Sequence, residues 1–75
     1  MTEQEFFTRV QETLELDQPV DRQTSLEDLE EFDSLGILNL MTLFDELGID
    51  ADQSDFADAK IGADLLNMAS DAVDG

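Results

Sequence analysis

The sequence predicts an all-α fold: a small four-helix bundle of three main helices and one short third helix, with a long loop between the first two. Three observations predict it. Apolar residues recur at three- and four-residue steps instead of alternating. β-branched residues are sparse outside the connecting segments, so no run favours a strand. At 75 residues, 41% of them hydrophobic, the chain can bury one small core and is too short for two domains.

The first helix is expected from about residue 3 to 16. Phe6, Phe7, Val10 and Leu14 fall on one face, and Thr2 with Glu5 has the spacing of a capping box. Asp17, Pro19 and Asp21 then end the pattern, because proline offers no amide proton and keeps the residue before it out of helical geometry. Val20, Leu26, Leu29 and Phe32 are too many apolar groups for a free linker. The loop is therefore expected to lie pinned on the core, with one short helical turn over Ser25 to Asp28.

From Ser34 to Phe44 no residue is charged, in a chain of which 31% is, and this marks the central helix. Asp33 is placed to cap it and Gly48 to stop it after Leu47. Winding at roughly 100° per residue turns Ile37, Leu40, Met41, Phe44 and Leu47 inward and Ser34, Leu35, Leu38, Thr42, Asp45 and Glu46 outward. Asp45 and Glu46 lie near the helix's negative end, an unfavourable place that calls for a reason. A short helix is expected near Asp55 to Ala59, anchored by Phe56. A last helix is expected from about Ala63 to Val73, with Leu65, Leu66, Ala69 and Val73 as its apolar face.

Twenty Asp and Glu stand against three basic residues, a formal net charge of -17. Such a chain repels phosphate backbones and anionic bilayers, so nucleic acid is disfavoured as a ligand. Repulsion of this size also strains the fold, and added salt or magnesium is expected to raise the melting temperature. With no Cys and no His, the chain lacks the usual nucleophile, general base and soft metal ligands. No basic leader and no long apolar run occur, so no membrane span is expected and a cytoplasmic monomer is the expectation.

Asp33-Ser34-Leu35, opening the central helix after a long pinned loop, carries the most information. Serine in the first turn keeps its hydroxyl exposed, and a phosphodiester there would sit beside unpaired backbone amides at the positive helix end. An Asp-Ser pair is more commonly just a cap and a first-turn filler. Here the tripeptide is joined by small size, acidity, helix order and Lys60-Ile61 ahead of the last helix. Taken together, almost the whole chain resembles the acyl carrier protein family.

The resemblance implies a non-catalytic carrier. A phosphopantetheinyl transferase would attach 4'-phosphopantetheine from coenzyme A to Ser34, and the arm's thiol would hold acyl groups as thioesters for fatty-acid, polyketide or related biosynthesis. It also implies recognition by client enzymes with basic patches through Asp33, Leu35 and Leu38 and an acidic rim of Asp45, Glu46, Asp55 and Asp58. Ile37, Met41, Phe44, Ile61 and Leu65 would line an acyl-chain pocket between the second and last helices; plain core packing is the simpler account of the same residues. Three positions depart from the family's pattern. Gly36 and Asn39 stand where acids are frequent, and Glu31 replaces a frequent glycine two residues before Asp33, which implies a different loop course. These departures point toward a specialised free-standing carrier.

Two rivals come from other classes. Asp50, Asp52, Ser54, Phe56 and Asp58 follow the ligand spacing of a calcium loop, but Asp55 occupies the tight-turn glycine's place and Ile61 that of the bidentate glutamate. An acidic protein-binding module or mimic without a prosthetic group would explain the charge, yet has no use for a serine at an uncharged helix start.

Overall fold

A computed structural model describes residues 1–73, and among them the architecture is all-α without a strand. Four α-helices follow in order: α1 (Glu3–Leu14), α2 (Ser34–Glu46), α3 (Gln53–Ala57) and α4 (Gly62–Met68). A single 3-10 turn at Leu26–Asp28 interrupts the long loop, as expected. Thr2 and Glu5 form the expected capping box, the Glu5 amide donating to Thr2 Oγ1 at 3.1 Å. α1 ends two residues early because Glu15 turns left-handed at φ 56°. The Leu16 amide then donates back to the Gln11 carbonyl, closing the helix in a turn that glycine usually occupies, so no local signal marks it.

α2 starts at the Asp33 cap and stops at Gly48, whose φ is 78°. Its buried face is wider than the winding predicts. Leu40, Leu43 and Phe44 are buried, whereas Ile37, Met41 and Leu47 are only partly so. Leu43, absent from the predicted inward set, turns toward α1, the helix against which α2 packs most. α3 begins earlier than expected, since the Asp52 carboxylate caps it through the Asp55 amide at 3.2 Å. α4 is shorter than expected. After Met68 the chain runs through turns over 69–72, where Asp71 would stand at a helix's negative end.

Two aromatic contacts join helices and a third lies within α1. Phe6 meets Phe44 edge-on at 5.9 Å between centroids, and Phe44 meets Phe56 at 4.9 Å. Phe7 stands edge-on to Phe6 at 5.4 Å. Around them Val10, Leu26, Leu40 and Leu65 are fully buried. The loop is fastened to this core by Val20 and Leu26 and stitched to the start of α4 by backbone bonds, among them Leu26 N to Lys60 O at 2.9 Å and Gly62 N to Thr24 O at 2.9 Å.

Candidate functional site at the start of α2

An α-helix begins with amides that have no acceptor inside it, so each start must be closed by something else. α1 has Glu3 and Glu5 in its first turn, α3 has Asp55 and α4 has Asp64. α2 alone has no acidic residue there, in a chain with twenty. Asp33 closes one amide, accepting from Gly36 N at 2.9 Å, and its carbonyl takes Ile37 N at 2.8 Å. The amides of Ser34 and Leu35 find no acceptor among the described residues, nor does the Ser34 hydroxyl find a partner. Ser34 is exposed.

At α4 the same groups are spent. Gly62 N and Ala63 N donate to the carbonyls of Thr24 and Arg22 at 2.9 and 3.0 Å. The Asp64 carboxylate takes Lys60 N at 2.8 Å and Ile61 N at 3.1 Å, and these two amides hold its pKa below the ordinary aspartate value. Asp52 is lowered too, first by the Ser54 hydroxyl and then by the Asp55 amide. Glu3 is lowered chiefly by its hydrogen bond with the Arg22 guanidinium.

What sets the loop against the start of α2 is Gly36. A Cβ at this position would stand 2.0 Å from the Glu31 carbonyl oxygen, so only glycine allows the loop to cross here. The two departures at positions 31 and 36 are thus the two sides of one contact. Beside it opens a cleft of about 280 Å³ lined by Thr13, Leu14, Glu15, Glu30, Glu31, Asp33, Leu35, Gly36 and Asn39. Sequence reasoning missed this loop side; the Glu30-Glu31 pair just ahead of the cap was the available signal.

The other predicted site residues divide. Leu35 and Leu38 are the most exposed large apolar side chains described, at 66% and 58%. Asp45 and Asp58 are exposed. Glu46 has a surface partner, Arg9, whose guanidinium lies 3.5 Å away, so one of the two acids at the end of α2 is paired. Asp55 also has one, for its carboxylate accepts Asp52 N at 3.1 Å within the α3 cap. Of the five predicted pocket residues, Phe44 and Leu65 are fully buried and Ile37 and Met41 partly buried, but Ile61 is 39% exposed at the cap of α4. Its backbone pairs with Ser25 in an isolated antiparallel bridge.

The residues around Ser34 can hold an anionic ester through an exposed hydroxyl and two unspent amides in a first turn that carries no acid, while the Asp33 cap and the loop acids Glu30 and Glu31 beside it oppose the added charge. No family model, curated protein or solved structure matches the chain. Among the described residues no helix is long and apolar enough to cross a membrane.

Proposed function

We propose that this chain is a carrier protein whose Ser34 receives 4'-phosphopantetheine, making it a substrate of a transferase and of acyl-loading and condensing enzymes. The observation that supports this reading is the start of α2, the one α-helix start described without an acid in its first turn, where a free, exposed hydroxyl stands beside amides that, like the first two of α1 and α3, have no acceptor. When bound, the arm supplies the thiol that this cysteine-free chain lacks. Ser34 provides the attachment oxygen, and the Ser34 and Leu35 amides with the positive helix end favour the ester's charge. Asp33 holds the first turn in register through Gly36 N. Leu35 and Leu38 offer the approaching enzyme an apolar foothold. With no histidine in the chain and the Asp33 carboxylate engaged by Gly36 N, the hydroxyl proton is left to the transferase. The new bond joins Ser34 Oγ to the arm's phosphorus as coenzyme A's phosphoanhydride bond breaks and adenosine 3',5'-bisphosphate leaves. The reading requires a compartment that holds coenzyme A, of which the cytoplasm is one.

Intact mass measured after incubation with coenzyme A, magnesium and a broadly tolerant phosphopantetheinyl transferase tests the reading. The expected result is a gain of one phosphopantetheine that is absent in Ser34→Ala. A chain that takes no group with several transferases would return the lead to an acidic binding module without a prosthetic group.

A further inference from the structure

Resting on the carrier reading, we infer that the enzyme modifying Ser34 docks from the loop side of α2, with a basic surface over Glu30 and Glu31 and an apolar one on Leu35. The groove between α1 and α2 is polarised. Its cleft at the Ser34 end is lined by Glu15, Glu30, Glu31 and Asp33, and it continues through Thr13 and Asn39 into a second cleft that reaches Arg9 and Glu46. At the far end the charge is neutralised by the Arg9–Glu46 pair. At the Ser34 end it is not, because the other two basic side chains are also engaged elsewhere, Arg22 with Glu3 and Lys60 with Glu27.

Distance decides between the two acidic sides. Asp45 and Glu46 follow Ser34 by more than three helical turns, about 17 Å along the axis at 1.5 Å per residue. At that distance they do not border the Ser34 hydroxyl, although a partner of ordinary interface size could still reach them. Glu31, by contrast, is pressed against the first turn through Gly36 and shares a cleft with Asp33 and Leu35. Leu35 stands exposed at its edge. A second copy of the chain is unsuited to this surface, since it would bring -17 against -17. The occupant that complements it is cationic with an apolar tip.

The test compares steady-state transfer from coenzyme A to the full chain for Glu30→Gln/Glu31→Gln, for Asp45→Asn/Glu46→Gln, and for a charge-matched control, Glu12→Gln/Asp71→Asn. The loop pair is expected to raise KM for the carrier about tenfold with kcat unchanged, and to flatten the salt dependence of kcat/KM. The α2-end pair is expected to raise KM by less than the loop pair, and the control to stay within twofold. Circular dichroism checks that each variant is folded; all six side chains are exposed. If wild type is modified and the α2-end pair loses as much as the loop pair or more, the loop-side docking is wrong and the carrier reading stands. If wild type is not modified at all, both fall.

Discussion

The starts of α2 and α4 are built by the same device and end in opposite states. Each has a glycine in its first turn against which the long loop lays a backbone carbonyl: a Cβ would stand 2.0 Å from Glu31 O at Gly36 and 1.9 Å from Asp21 O at Gly62. At α4 the loop arrives with acceptors that take Gly62 N and Ala63 N, and Asp64 adds a carboxylate. At α2 the loop delivers side-chain charge beside the helix but leaves two amides unspent. Close packing alone does not make a helix start inert; what matters is whether the packed segment brings acceptors. One start is a structural joint, and the other is a joint with chemistry left over.

The largest expected effects come from filling the glycines. Alanine gains at most about 1 kcal/mol of helix propensity, the helix-interior figure, and less in a first turn. Against it stands an overlap with backbone that cannot rotate away, and overpacking of this kind costs about 1–3 kcal/mol or more. Urea unfolding is expected to show both Gly36→Ala and Gly62→Ala less stable than wild type, Gly62→Ala the more so because a displaced loop also loses the bonds to Thr24 and Arg22. Gly36→Ala should in addition slow modification of Ser34 by moving the loop acids, whereas Gly62→Ala should slow it little. Equal stability of Gly36→Ala and wild type would show that the loop is not pinned at α2.

Much of this contrast was legible in the sequence, though not all of it. The uncharged run after Asp33 announced α2, its cap and its exposed Ser34, Leu35 and Leu38, because helical periodicity and capping chemistry act over a few residues. The widened buried face at Leu43 was not legible, since it depends on where α1 lies. Nor were the Arg9–Glu46 pair and the Glu31–Gly36 approach, which join residues distant in sequence or hidden in an irregular loop. The early end of α1 at Glu15 escaped for a different reason: a glutamate occupies a left-handed position that no local preference favours.

A smaller effect separates the caps themselves. Asp33 closes α2 with one side-chain bond to Gly36 N, and Asp33→Ala is expected to lower stability by about 1 kcal/mol at neutral pH. Because Ile37 N still has the backbone carbonyl of residue 33, the helix should persist, with its first turn loosened and Ser34 modified more slowly. A loss well above 2 kcal/mol, read from urea unfolding, would mean that the loop depends on this cap and that the two starts are less alike than their glycines suggest.

The smallest effect isolates the charge on the other cap. Asp64 has a folded-state pKa held below its ordinary value by the Lys60 and Ile61 amides, so its ionisation stabilises the fold above the ordinary aspartate range and ceases to do so as pH falls through the lowered value. The background runs the other way at first, since acidification relieves repulsion among the remaining carboxylates. Asp64→Asn keeps an acceptor oxygen and removes only the charge, leaving that background nearly common to both proteins. The difference in urea midpoint between wild type and Asp64→Asn should therefore hold steady from pH 8 to about 5 and shrink below about pH 4, as Asp64 takes up its proton first in the unfolded chain and, at lower pH, in the folded one. A difference that stays constant to pH 3 would mean the amides of α4 are satisfied by the oxygen alone, and that the charge on Asp64 adds nothing to the closing of this helix start.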